Sequence, residues 1–228
     1  MEKFVCEMHA HTSNTSRCAH IKAENMIKDY IDAGYDGIVI TDHLSPSTFA
    51  HFEGKAVSWK EKIDFFLRGY NAAKNAANGK IKVFLGMEIR FYFPEDANMN
   101  DYLVYGVTEK FLYDNVDIDR MRIPEFSELV HKNGMAIFQA HPFRCGMTVT
   151  NPKYLDGIEV YNGCPRHNSY NSIANMWADE NSLLKTSGSD YHEHEDTARG
   201  GLIFDREIID NKDLVKALLG TTPEIIRK

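Results

Sequence analysis

Short apolar runs alternate with amphipathic helical segments along most of the chain. The runs that predict β-strands cover residues 4–6, 37–41, 81–85, 102–105, 135–138, 157–161, 184–186 and 201–204. Between them, apolar residues recur at helical spacing in the segments 26–31, 63–70, 126–130, 173–177 and 214–218. Continuous apolar runs of this kind are typical of strands that are buried on both faces. The pattern therefore predicts strands and helices in alternation.

Local signals mark the ends of several of these helices. Ser58 and Glu61 have the spacing of a capping box, and Pro124 suits the first turn of a helix. Asn211 is the expected N-cap of the last helix, and Gly34 is the residue expected to end the first one.

The alternation predicts an α/β fold with a mostly parallel sheet. About seven strand–helix units, without a linker or a repeat, favour one domain over residues 1–228, closed into a TIM-like (β/α)7 barrel. No glycine-rich dinucleotide fingerprint and no P-loop follows a predicted strand, which weakens the alternatives of a Rossmann fold or an NTPase.

Length, charge and cysteine usage exclude several classes of protein. The 228 residues include 43% hydrophobic and 26% charged residues, which is ordinary for one globular domain. The net charge of −7 argues against a long nucleic acid as the partner. No apolar run approaches the roughly 18 residues that span a bilayer, so we expect no membrane association. A polar start and four cysteines without a CxxC pair predict a cytoplasmic protein with reduced thiols.

Side chains that commonly bind metals stand directly after the predicted strands. They are His9, His11, His43, Glu88, His141, Asp190 and His192. Residues two apart in an extended chain point the same way, so His9 and His11 can reach one ion, as can Asp190 and His192. Barrel enzymes build their sites at the carboxyl ends of their strands, which is where these residues fall.

Each of these residues also has an ordinary structural explanation. The first pair could be exposed loop residues, His43 could neighbour a helix cap, Glu88 could pair with Arg90, and His141 could be satisfied in the core. Because five strand ends carry such residues, we interpret them as one metal site rather than as coincidence. The mixture of oxygen and nitrogen donors suits Mn²⁺, Zn²⁺ or Fe²⁺.

In this order, the motifs resemble the polymerase and histidinol phosphatase (PHP) family. The residues that carry the resemblance are His9, His11 and Thr12; Thr41, Asp42 and His43; Glu88; Ala140, His141 and Pro142; and Gly188, Ser189, Asp190 and His192. They extend over nearly the whole chain. The resemblance implies a distorted barrel that holds two or three divalent ions in a cleft.

The resemblance also implies which residues bind which ion. The ligands implied for one ion are His9, His11, Glu88 and Asp190. Glu88 would bridge to a second ion, which His141 would also bind, and His43 and His192 would bind a third.

Two positions differ from the family pattern. Asp101 stands where the family usually has a histidine before an apolar strand, and it is carried over as a ligand because aspartate is also a donor. A few residues after His11 the family usually has an aspartate or a histidine, whereas this chain has Arg17, which offers no free acceptor. Either His20 takes that place, or the third ion site is weak or absent.

Three arginines are candidates for binding a phosphate group, since guanidinium groups match phosphate oxygens. They are Arg17, Arg144 and Arg199. The predicted reaction is hydrolysis of a small phosphate ester, a monoester rather than a diester, by attack of a metal-bound hydroxide at Glu88. The leaving oxygen would be stabilised by a metal or protonated by His192 or His20.

Other functions remain open at this point. One is a histidinol-phosphate phosphatase, and another is an amidohydrolase of related barrel architecture, although that family usually needs a bridging lysine. A metal- or phosphate-sensing domain without activity is a non-enzymatic alternative. A nuclease that acts on a very short substrate or a mononucleotide is also possible.

Overall fold

Two mixed β-sheets and the helices around them make up the fold in a computed structural model, which describes residues 3–91 and 100–228. The strands are β1 (Phe4–Ala10), β2 (Gly37–Ile40), β3 (His43–Leu44), β4 (Lys82–Leu85), β5 (Met87–Ile89), β6 (Tyr102–Tyr105), β7 (Ala136–Gln139), β8 (Gly157–Asn162), β9 (Leu184–Gly188), β10 (Gly200–Phe204) and β11 (Glu224–Arg227). The helices are α1 (Ala23–Asp32), α2 (Pro46–Phe49), α3 (Trp59–Phe66), α4 (Arg68–Ala77), α5 (Glu109–Asp114), α6 (Ile123–Lys132), α7 (Asn171–Glu180) and α8 (Asn211–Gly220). Within the described ranges, no helix is long and apolar enough to span a bilayer.

The strands pair in two sheets. The first has the order β11-β10-β1-β2-β4, and the second has the order β3-β5-β6-β7-β8-β9. Four of the nine strand pairs are antiparallel, because β10 runs against both β1 and β11, and β6 runs against both β5 and β7. The mixed α/β fold is confirmed, but the sheet is less parallel than predicted. Between the described residues the hydrogen bonds do not close one barrel, and a single bridge from Ala10 to Tyr191 joins the first sheet to the segment after β9.

Several element boundaries differ from the sequence prediction for local reasons. The helical segment predicted after Ser58 is split into α3 and α4, because the Thr15 hydroxyl donates to Phe66 O and accepts from Gly69 N, both at 3.0 Å. The capping box of Ser58 is confirmed. Helix α8 is capped by Asp210 rather than by Asn211.

The two sheets face each other across a shared apolar layer. Cys6 and Met8 from β1 and Leu202 from β10 belong to the same buried cluster as Tyr105 from β6 and Phe138 from β7. Helices α1 and α4 cover the outer face of the first sheet, and helices α3, α5, α6 and α7 cover the second. This packing brings the carboxyl ends of β1, β7 and β9 to one side of the molecule.

Close backbone contact between β1 and β9 requires a glycine at the end of β9. A Cβ atom on Gly188 would lie 2.2 Å from the Cβ of His9 and 2.9 Å from its backbone nitrogen. On the other side, Gly200 packs against the backbone of Gly188 so closely that its own Cβ would lie 2.3 Å from the carbonyl carbon. The end of β9, two residues before Asp190, therefore packs directly against the strand that carries His9.

We predict that Gly188→Ala lowers the free energy of unfolding by about 1–3 kcal/mol, the usual range for overpacking a filled interior. Gly220→Ala is the matched control, because a Cβ at Gly220 would meet no atom within 4 Å. Urea denaturation of both variants measures the effect. Equal midpoints for the two variants would contradict the close packing of β1 and β9.

Candidate functional site

The eight side chains predicted as metal ligands lie together at one end of the two sheets. They are His9, His11, His43, Glu88, Asp101, His141, Asp190 and His192. Six of them line a cleft of about 450 Å³, and His9 and His11 lie beneath it with no exposed surface. This volume is in the range of pockets that bind small molecules.

An inner group of four donors, His9, His11, Glu88 and Asp190, surrounds one point below the cleft. The Nε2 atoms of His9 and His11 are 3.0 Å apart, and each lies 3.4 Å from Oδ1 of Asp190. The carboxylate of Glu88 is 3.4 Å from Nε2 of His9 and 3.3 Å from Nε2 of His11. Two imidazoles and two carboxylates thus face one another, with Glu88 offering Oε1 to His9 and Oε2 to His11.

Glu88 also reaches the histidines on either side of the inner group. Its Oε1 lies 3.1 Å from Nε2 of His141, and its Oε2 lies 2.9 Å from Nδ1 of His43. The shared position results from the register of β3 and β5, which pairs His43 directly with Glu88. One carboxylate therefore lies between two sets of imidazoles, which is the place expected for a bridging ligand.

An outer group, His11, His43 and His192, lies nearer the mouth of the cleft. One nitrogen from each ring is within 4.8 Å of the others. The Nδ1 of His192 is 2.8 Å from the carbonyl oxygen of Asp190, and a proton donated there leaves Nε2 with a free lone pair. Cys18 lies beside this group, with its Sγ 3.1 Å from Nε2 of His192.

Glu159 in the middle of β8 orients two of the histidines. Its Oε1 is 2.9 Å from Nδ1 of His9, and its Oε2 accepts from the backbone N–H of His141 at 2.9 Å. A proton on Nδ1 of His9 leaves Nε2 of that ring to act as an acceptor toward the inner group. Carboxylates often hold metal-binding histidines in this way.

Two of the candidate ligands have backbone conformations that are rare outside glycine. His141 has φ +27° and Asp190 has φ +50°. Conformations of this kind are retained only where neighbouring contacts hold them, and they concentrate at functional sites. For His141 the contact is the hydrogen bond to Glu159; for Asp190 the side chain is held by Asn162, whose amide donates to Oδ2 at 3.2 Å.

Glu7 forms a second buried support, between β1 and the end of β9. Its carboxylate accepts from the backbone nitrogens of His9 at 2.9 Å and Ser189 at 2.8 Å, and from the hydroxyls of Ser189 at 2.5 Å and Tyr30 at 2.7 Å. Burial raises the pKa of Glu7, and these hydrogen bonds oppose the rise. The contacts fix the distance between the segments that carry His9 and Asp190.

Charge in the inner group is shared between carboxylates and imidazoles. Burial alone would lower the pKa of His9, but Asp190, Glu159 and Glu88 raise it well above its ordinary value. Burial alone would raise the pKa of Glu88 and of Asp190, yet the surrounding histidines hold both well below the usual range. The imidazoles around Glu88 and Asp190 therefore favour the ionised form of both carboxylates.

The imidazoles of the site also affect the pKa of Cys18. Burial would raise the pKa of its thiol, but hydrogen bonds from His192 and His43 lower it to about 5. The sulfur therefore lies in a strongly positive environment at the edge of the outer group.

The arginines predicted to bind phosphate have different positions. Arg17 and Arg144 line the cleft, together with Arg90, which the sequence analysis had treated only as a salt-bridge partner. Arg90 in fact binds Asp101 through two hydrogen bonds of 2.6 and 2.5 Å. Arg199 donates from Nε to the carbonyl oxygen of Gly163 at 2.9 Å and is not among the described residues that line the cleft.

The two histidines considered for proton transfer also differ in position. His192 lines the cleft, whereas the side chain of His20 is 68% exposed and lies 3.1 Å from Glu193. A third histidine, His167, lies closer to the site than the sequence indicates. Its Nε2 is 3.4 Å from Oδ2 of Asp190 and 3.5 Å from Nη1 of Arg144.

Unpaired buried donors show that the site suits divalent cations. Nδ1 of His11, Oε2 of Glu88 and Nδ1 of His141 are buried without a hydrogen bond of acceptable geometry. Native interiors rarely leave such atoms unpaired. Imidazole and carboxylate donors at this spacing are those preferred by Zn²⁺, Mn²⁺ and Fe²⁺, so the residues fit the ions that the sequence predicts.

Comparisons with known proteins agree with this geometry. Residues 7–212 match the sequence profile of the PHP domain. The search of curated proteins returns no match. Among solved structures, the chain is similar to PsfC from Pseudomonas syringae, with a TM-score of 0.71, 14% identity, and coverage of 100% of this chain and 93% of PsfC.

Two further similar structures come from larger proteins. One is a two-domain protein from Bacteroides vulgatus described as containing a predicted PHP-like metal-dependent phosphoesterase (TM-score 0.68, 16% identity, 99% of this chain and 65% of that one). The other is the lesion-specific endonuclease PfuEndoQ from Pyrococcus furiosus (TM-score 0.62, 14% identity, 98% of this chain and 58% of that one). At these identities the similarity concerns the fold.

The profile match covers most of the chain, including the segments that carry all eight candidate ligands. It confirms both the family resemblance seen in the sequence and the prediction of a hydrolase of the phosphoesterase class. The chain belongs to the PHP domain family.

Proposed function

We propose that this protein hydrolyses a small phosphate monoester with the help of two or three divalent ions. The observation that carries the proposal is the convergence of eight nitrogen and oxygen donors at the base of a cleft that arginines also line. The proposed ligands are His9, His11, His43, Glu88, Asp101, His141, Asp190 and His192. When bound, divalent ions lower the pKa of water and neutralise charge on phosphoryl oxygens.

The proposed ligands would bind up to three ions. The inner group would hold one ion, and Glu88 would extend to a second ion beside His141 and to a third beside His43 and His192. Asp101 is within reach of His43 and Glu88 but is also held by Arg90, so its carboxylate would be shared.

Arg17 and Arg144 are the arginines proposed to bind the phosphate group. Both line the cleft, and neither has an ion pair with a carboxylate among the described residues, whereas Arg90 is bound to Asp101. A phosphate monoester carries up to two negative charges near neutral pH, which two guanidinium groups match. Arg199 is left out of this set because it faces the carbonyl of Gly163.

The geometry favours ion binding over proton transfer as the role of His192. Its Nδ1 is engaged by the carbonyl of Asp190, and its Nε2 belongs to the outer group. His20 is directed to Glu193 outside the cleft, so we assign it no part in the reaction.

An amidohydrolase is less well supported. Among the described residues no lysine lines the cleft, and Glu88 occupies the bridging position. A small monoester is also favoured over long nucleic acid by the volume of the cleft and by the net charge of −7.

We predict that chelation abolishes hydrolysis of a generic phosphate monoester and that added Mn²⁺ or Zn²⁺ restores it. His9→Ala should lower activity more than about 100-fold and reduce the bound metal, since losing even an outer support of a metal site costs up to about 100-fold. His131→Ala, on the surface at α6, is the matched control. Activity that ignores chelation and survives His9→Ala would contradict the proposal.

We predict that Arg144→Ala raises KM for the monoester about 10- to 100-fold, because a hydrogen bond to a charged group contributes about 1.5–3 kcal/mol. Metal content should not change. Arg206→Ala is the control, as Arg206 pairs with Asp213 at the start of α8. If metal content falls together with affinity, Arg144 supports the ions instead of the substrate.

We predict a higher kcat/KM for a small monoester than for a phosphodiester or for duplex DNA that carries an abasic lesion. The measurement is a direct comparison of these substrates with the metal-loaded protein. Preference for the duplex would replace the monoester proposal with a nuclease function while retaining the metal site.

A further inference from the structure

Cys18 lies beside the outer group. Its side chain lines the cleft together with that of His43, and its Sγ lies 3.1 Å from Nε2 of His192. These are two of the three histidines whose ring nitrogens lie within 4.8 Å of one another. The side chain of the adjacent Arg17 has no free lone pair with which to bind a cation.

The loop that carries Cys18 is held at both ends by the segments that carry those histidines. The hydroxyls of Thr12 and Ser16 both donate to the carboxylate of Asp42 at 2.7 Å, and Ser16 Oγ accepts from the backbone nitrogen of His43 at 2.9 Å. Beyond Cys18, the backbone nitrogen of His20 donates to the carbonyl of His192 at 3.0 Å. The position of the thiol is therefore built into the fold.

We propose that Cys18 binds, as a thiolate, the cation held by His43 and His192, so that this outer site selects Zn²⁺ or a similar borderline ion over Mn²⁺ and Mg²⁺. The inference rests on the proposed metal-dependent function. On binding, the sulfur–metal bond forms and the thiol proton passes to solvent. Two imidazoles and one thiolate, with a fourth position open to water or substrate, are a donor set that Zn²⁺ accepts in tetrahedral geometry.

The observed spacing suits this geometry. In a tetrahedral zinc site, a sulfur and a nitrogen ligand lie about 3.6 Å apart, given bond lengths of about 2.3 and 2.0–2.1 Å. The distance from Sγ to His192 is 3.1 Å, so the thiolate would move only slightly. The filled site would keep one net positive charge, which favours an anionic phosphate ester in the adjacent cleft.

The test uses cobalt as a spectroscopic substitute for zinc in the full-length, chelator-stripped protein. We expect Co²⁺ to give a near-ultraviolet thiolate-to-cobalt charge-transfer band, and Cys18→Ser to remove it completely. Cys145→Ser and Cys164→Ser should both keep the band. Cys145 is exposed, and Cys164 controls for the other thiol that lies near a candidate ligand, since it forms a group with His167 and Asp190.

Binding of Co²⁺ without this band, or a band that persists in Cys18→Ser, would overturn the proposal but leave the phosphoesterase function intact. A protein that takes up no cobalt and hydrolyses no ester would overturn both.

Thiol alkylation is an independent measurement. Bound Zn²⁺ should slow alkylation of Cys18 about tenfold or more and leave Cys145 unaffected, because a metal-bound thiolate is a poor nucleophile. In competition, Cys18→Ser should lose the preference for Zn²⁺ over Mn²⁺ by about tenfold. Unprotected Cys18 in the zinc-loaded protein would overturn the assignment.

Discussion

Buried negative charge is the constraint on which the rest of this structure depends. Glu7, Glu88, Glu159 and Asp190 are each no more than 3% exposed, and no lysine or arginine in the described ranges forms an ion pair with any of them. Such carboxylates are costly to bury unless partners replace their water. Here imidazoles, amides and hydroxyls replace that water. The imidazoles that converge on Glu88 and Asp190 leave a space where a divalent cation would satisfy the remaining donor atoms.

The carboxylates have two different kinds of role. Glu88 and Asp190 face the common centre, whereas Glu7 and Glu159 face away from it and hold the backbone and ring positions of the residues that do. Glu159 contacts both His9 and His141, so two strands of different sheets are positioned by one side chain. The left-handed backbone at His141 and Asp190 is consistent with this, since a strained ligand position needs support from behind.

The sequence indicated the candidate metal ligands better than the strands and side chains that surround them. Each ligand candidate lies in an apolar strand or within four residues of one, so residue type and strand position together were enough to place it at one edge. The direction of β6 was not accessible, because Tyr102–Tyr105 is buried throughout and its continuous apolar run is like that of a parallel strand. Cys18 was read only as a reduced thiol, since its contact with His192 crosses 174 positions and no periodic pattern marks the loop. Glu7 was not singled out either, since its partner Ser189 lies 182 positions away.

The junction between Glu7 and Ser189 has a consequence for how the protein is made. These residues are 182 positions apart, yet their contact sets the distance between the two halves of the inner group. On the ribosome, β1 and its histidines emerge long before the strand that must meet them, and loop closure on this scale is slow. The inner group therefore cannot assemble early in translation, and it forms only after nearly all of the domain has been synthesised.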